Sequence, residues 1–178
     1  MTIPIGMTRT EVAQAMAWAK DEHEKQARRP DAERQSEHRL LMEYLGDMAM
    51  RHYFDWRDIR VTGGLGTPEG RPMRVFHDAL SLVVRAFATG DMLNEHLRIG
   101  RAEHAQKSAN IYVAVRILTR DGETGQPWAQ ASLDGWCWWS GFERFAVAGD
   151  GLEEYLQLAH DGLESFAGFE DNLERNGS

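Results

Sequence analysis

The stretch Ile111-Tyr112-Val113-Ala114-Val115-Arg116-Ile117-Leu118 is dominated by β-branched and apolar residues, and Asp121-Gly122-Glu123-Thr124-Gly125 follows as a turn. It is the clearest strand in the chain. It belongs to a central region of similar character. Met73 to Leu80 and Leu82 to Ala88 read as consecutive strands joined near Ala79-Leu80-Ser81, and Leu97 to Ile99 as a short one. Ala129 to Trp139 reads as a further strand, with Gly135 marking a bulge or a close approach of another segment.

Helical patterns flank this region. Thr8 and Glu11 form a capping box opening a helix from about Thr8 to Ala27, with Val12, Met16 and Ala19 as its apolar stripe and Arg28-Arg29-Pro30 at its end. A second helix, from about Asp31 to Phe54, carries Leu41, Tyr44, Leu45, Met48 and His52 on one face, and Glu43, Asp47 and Arg51 on another. After Gly149-Asp150-Gly151, the spacing of Leu152, Tyr155, Leu156, Ala159, Leu163 and Phe166 predicts a C-terminal helix, with fraying from about Gly168. The expected fold is a single α/β (α+β) domain over residues 1–170. It has a small mixed central sheet of four or five strands flanked by helices, an N-terminal helical extension over about 1–30 and a frayed tail at 171–178.

With 178 residues, 42% hydrophobic and 27% charged, the chain has the composition of a globular domain. No apolar run approaches the roughly 20 residues of a membrane span. Met1 to Gly6 lacks a basic region ahead of an apolar one, and Cys137 stands alone. A soluble, cytoplasmic protein with no membrane partner is therefore expected. The formal net charge of -8 argues against a nucleic-acid partner until it is resolved along the chain. Residues 151–178 hold seven acids and one base, whereas residues 71–120 hold eight bases and four acids. The acidity is local, and the centre is basic.

Several catalytic motifs are excluded or weakened. The glycine-rich stretch Thr62 to Gly70 has no Gly-Lys-Ser/Thr and opens no helix, so it reads as an ordinary hairpin or surface loop. The seven histidines have no zinc-ligand spacing, and the serines lack a nucleophile elbow. Cys137, between Trp136 and Trp138, reads as a small core residue. Trp136, Trp138 and Trp139 are of the type that stacks on bases, but alternation sends Trp139 to the opposite face, and core packing is the expected role. Asp47, on the second helix, and Asp78, in the first hairpin, are the carboxylates of interest. Phosphodiester hydrolysis needs carboxylates converging on Mg²⁺, and a helix carboxylate packed across a hairpin carboxylate supplies part of such a site.

Several strings resemble the PD-(D/E)XK, restriction-endonuclease-like nuclease superfamily. Leu45-Gly46-Asp47-Met48-Ala49 is similar to the Gly-Glu-x-Ala helix that opens many of these domains, and His77-Asp78 to the Pro/Tyr-Asp of the catalytic hairpin. Leu97-Arg98-Ile99 and Ala109 to Val115 resemble the segment that follows, and Leu133-Asp134-Gly135-Trp136 the strand before a short helix. The likeness covers about residues 37–145.

It implies a nuclease-like, DNA-associated protein, of a size that fits a phage or mobile element. The departure matters as much. Where the family carries Glu-x-Lys, this chain reads Val83-Val84-Arg85. Valine cannot ligate a metal, and arginine pairs with phosphate but stays protonated.

Three readings follow. The first is a degenerate nuclease fold that binds DNA or a protein without cutting, with Arg85, Arg98, Arg101 and Lys107 as contacts. The second is an active nuclease with relocated ligands: Asp78 and Asp47 hold Mg²⁺, Asp91 or Glu95 completes the shell, and Arg85 stabilises the phosphate. Magnesium is expected only in that case. The third is an acidic protein-interaction module whose C-terminal segment shields the basic centre.

Overall fold

A computed structural model describes residues 2–27, 35–77, 80–90, 95–121, 127–149 and 152–176. The first strand, β1 (Ile3–Gly6), precedes α1 (Arg9–Gln26) and α2 (Glu37–Trp56). The meander β2 (Arg60–Thr62), β3 (Met73–His77) and β4 (Leu80–Thr89) follows. Next come β5 (His96–Gly100), the short α3 (Arg101–Ala105), β6 (Ile111–Asp121), β7 (Pro127–Trp138) and α4 (Trp139–Phe145). The chain closes with β8 (Val147–Gly149), β9 (Leu152–Ala159), two single 3₁₀ turns and α5 (Phe169–Asn176).

The fold is mixed α+β. A six-stranded sheet has the order β1-β7-β6-β4-β3-β2, and a three-stranded sheet the order β5-β9-β8. β4 and β6 are parallel and every other pairing is antiparallel. A parallel neighbour cannot be reached by a tight turn, and the chain spends β5 and α3 on the crossover.

β6 sits in the middle because both its faces are covered. Ile111, Val113, Val115 and Ile117 pack into one core with Leu45, Met48, Ala49 and Phe54 of α2. Tyr112 and Ala114 pack into a second core with Leu97, Ile99, Cys137, Phe142 and Leu158. A strand buried on two sides carries a nearly continuous apolar run, which is why this segment stood out.

α1 is capped as expected: the Thr8 hydroxyl accepts from the Glu11 amide, while the Glu11 carboxylate accepts from the Thr8 amide. α2 opens at Ser36, whose hydroxyl accepts from the Arg39 amide, later than the expected start at Asp31. Gly46 lets α2 press onto the sheet. A Cβ there would lie 2.9 Å from that of Ala88.

The glycine-rich stretch is the loop of the β2–β3 hairpin. Gly66 has φ +76° and a side chain there would overlap the Tyr44 ring, so both the backbone and the space require glycine. Gly135 is a close approach, since a Cβ there would lie 2.7 Å from that of Leu163. The β6–β7 register shifts beside it.

The C-terminal region departs from expectation. Residues 152–159 form β9, not a helix, pairing with β5 on one side and β8 on the other. The spacing of Leu152, Tyr155, Leu156 and Ala159 suits a helix face. Over eight residues, however, periodicity is weak, and two waiting strand partners outweigh it. The end expected to fray forms α5, whose Phe169 and Leu173 are buried in the α2 core. Among the described residues no helix is long and apolar enough to cross a membrane.

Candidate functional site

β3 pairs with β4 only as far as Met73 opposite Val84, so Arg85–Thr89 run on beyond the end of β3. A cleft of about 350 Å³ forms along this stretch. His38, Arg39, Met42 and Glu43 of α2 wall one side, and Leu97, Arg98, Glu103, Tyr155 and His160 the other. A smaller cavity of about 290 Å³ adjoins it at the strand ends, lined by Asp47, Arg71, Met73, Val84, Arg85 and Ser108. Arg71 and Arg85 line both.

Alternation along β4 is as expected. Val84, Ala86 and Ala88 face the α2 core, and Val83 and Phe87 face the other core, with Arg85 between them. α2 therefore lies on the face opposite the Arg85 side chain. Asp47 and Arg85 reach a common cavity only around the edge where β3 stops.

Asp47 is fully engaged. Its Oδ2 accepts from the Leu65 amide at 2.9 Å and from Arg71 Nε at 3.2 Å, and its Oδ1 accepts from Arg71 Nη2 at 3.3 Å. Its side chain is 2% exposed. Arg71 Nη1 also donates to Glu43 at 2.9 Å, and Glu43 accepts from Gln35 and Arg39. Burial disfavours the Arg71 charge, but Asp47 and Glu43 more than compensate and raise its proton affinity. The i, i+4 spacing of Glu43 and Asp47 put both carboxylates on one stripe. What binds them, an arginine following the glycine loop, had no local signal.

Arg85 forms an ion pair with Glu103 of α3, donates to the Ser108 hydroxyl at 3.2 Å, and lies over the Phe87 ring. Deeper in the cleft, Asp134 accepts from Arg116 and, at 2.9 Å, from the Ser132 hydroxyl. His160 Nδ1 stands 3.6 Å from Asp134. Burial pushes the His160 imidazole below its ordinary range, against the opposing pull of Asp134, while Arg116 and His96 push it further down. Glu103, Asp134 and His160 escaped sequence reading because they converge only through the crossover and the second sheet.

Of the expected site residues that the structure describes, Asp47 and Arg85 line one cavity, and Glu95, Arg101 and Lys107 lie away from it. Asp78 and Asp91 lie outside the described residues. The neighbours of Asp78, His77 and Leu80, pair with each other at the end of the hairpin opposite Met73 and Val84. Arg85 lies five positions beyond Leu80, roughly 16 Å along the strand. Asp47 lines its cavity with Met73, Val84 and Arg85.

Glu95 is exposed and does not line the cleft; its carbonyl accepts from the His160 amide. Arg98 lines the cleft, whereas Arg101 opens α3 outside it. Lys107 lies over the Trp139 ring beside a separate pocket. Of the expected magnesium ligands, only Asp47 and Glu95 are among the described residues, and they do not lie together. Asp47 has given its oxygens to Arg71 and Leu65, and among the described residues no three His, Cys, Asp or Glu side chains are grouped to hold a metal.

Cys137 is buried in the second core, and burial lifts its thiol to about 12, so it stays protonated. Trp136 and Trp138 contact the α2 core and Trp139 the other, as alternation required. Comparison of the chain with family models, with curated proteins and with solved structures gives no match in any of the three.

Proposed function

We propose that this protein binds DNA through the cleft along β4, on a nuclease-like scaffold, without metal-dependent cleavage. The carrying observation is the chemistry at the head of that cleft. An arginine, Arg85, stands where the resemblance expects the lysine, and the nearby helix carboxylate Asp47 is bound by Arg71. Arg39, Arg71, Arg85 and Arg98 all line the cleft. A guanidinium binds phosphate oxygens through paired N–H donors, and bound phosphate replaces a carboxylate partner such as Glu103.

The test is fluorescence anisotropy with labelled DNA across a salt series, together with incubation of plasmid in Mg²⁺ or Mn²⁺. The expected result is salt-sensitive binding, weakened severalfold by Arg85→Gln, with the plasmid intact. Cleavage that disappears in Asp78→Ala would establish an active nuclease instead. Failure to bind DNA at 50 mM salt overturns the reading.

A further inference from the structure

A third cavity, of about 280 Å³, lies at the other side of the Lys107–Asn110 loop, lined by Lys107, Ala109, Asn110, Trp138, Trp139 and Ser140. The same loop supplies Ser108, the hydroxyl partner of Arg85. The pocket is thus next to the head of the cleft.

Its walls are aromatic and held in place. Trp139 stacks on His104 with an interplanar angle of 14°, and its Nε1 donates to the His104 carbonyl at 3.2 Å. Trp138 packs edge-on to Trp136. The Lys107 ammonium sits 4.5 Å from the Trp139 ring centroid. Asn110 ties the floor to β4, accepting from the Val83 amide through Oδ1 and donating its own amide to the Val83 carbonyl. With Oδ1 so engaged, the side-chain Nδ2 of Asn110 remains as a donor, and the hydroxyl of Ser140, an exposed residue, lies at the rim. Lys107 has φ +48°, a conformation glycine would adopt without strain, yet a lysine is placed there.

We infer that this pocket receives an unstacked base of single-stranded DNA, whose neighbouring phosphate is held by Lys107. The inference rests on the DNA-binding reading and adds the form of the DNA. His104 covers one side of Trp139 and the Lys107 ammonium lies over its ring. An entering base takes the ammonium's place against the indole and frees it to pair with the backbone, while the side-chain amide and hydroxyl meet base-edge oxygens or nitrogens. In a duplex both faces of every internal base are already covered, so the pocket favours an unpaired strand.

The test compares a labelled oligothymidylate 12-mer with a 12-bp duplex by anisotropy, using the whole chain. The parent protein is expected to bind the single strand at least tenfold more tightly than the duplex. Ser140→Phe fills the pocket from an exposed position, and should weaken single-strand binding at least fivefold with an unchanged melting temperature. Lys107→Gln should lower the slope of log affinity against log salt by about 0.7. Equal affinity for the two DNAs, or a Ser140→Phe protein that melts and binds the single strand like its parent, overturns this inference and leaves DNA binding through the cleft intact. Binding of neither DNA overturns both.

Discussion

Asp47 and Glu103 are the two carboxylates on which the chemistry of the cleft turns, and they should answer mutation differently. Asp47 is buried and carries three hydrogen bonds. Asp47→Ala leaves Arg71 with Glu43 alone and strands the Leu65 amide. A loss of about 3 kcal/mol in stability is expected by urea denaturation, as for a broken buried ion pair. A change under 1 kcal/mol would mean that the Arg71 pair is not structural.

Glu103 neutralises Arg85. Glu103→Gln should therefore tighten DNA binding severalfold and steepen its salt dependence, measured by anisotropy. Unchanged affinity would place Arg85 outside the interface. The stripe of Glu43 and Asp47 was legible because helical geometry is local. Their partner Arg71 was not, since nothing in the residues around it says which helix the hairpin loop will meet.

Single elements carry two further expectations. The cap of α1 makes stability depend on pH. Burial by itself raises the proton affinity of the Glu11 carboxyl, but hydrogen bonds from the Thr8 amide and hydroxyl, and the nearby His52, bring it below its ordinary value of 4.5. A carboxyl depressed in the folded state stabilises fully above its unfolded pKa, and that contribution fades as pH falls through the folded one. The urea midpoint should drop below about pH 4.5, and Glu11→Gln should flatten part of the drop. An unaltered profile in the variant would remove the cap from the account.

In α2, Gly46 exists for its contact with β4, and Gly46→Val should cost about 1–3 kcal/mol by overpacking against Ala88 and Ala86. A melting temperature equal to that of the parent would refute the tight approach. The start of α1 and the main strands were readable because caps and alternation act within a few residues, whereas the Ser36 cap of α2 was passed over. β9 was misread for the complementary reason: eight residues fit either period, and only β5 and β8, from distant parts of the chain, decide between them.

Across the whole molecule, the acidic C-terminal segment divides: β9 pairs with β5 along the cleft, where Tyr155 and His160 line the wall, whereas α5 lies apart from it. Glu170 pairs with Arg57 at the C-terminal end of α2, and Phe169 and Leu173 anchor α5 there. The cleft opens beside Glu43, fourteen positions earlier on the same helix, roughly 20 Å away. That exceeds the Debye length of about 10 Å at 0.1 M salt. Neutralising Glu170 and Asp171 together should leave DNA affinity within twofold at that salt, by anisotropy. A larger gain would show that α5 shields the cleft.

By itself the sequence determined the mixed α+β class, the capped first helix, the central strands, the buried role of Cys137 and the division of the tryptophans between two faces. These follow from periodicity and side-chain size, which act over a turn of helix or along one strand. Only the tertiary structure decided that Asp47 is held by Arg71, that Arg85 meets Glu103, that β9 is a strand along the cleft, and that α5 packs at the far end of α2. Each of those depends on which distant segments the chain brings together, because charges and strand edges take the partners that folding places beside them.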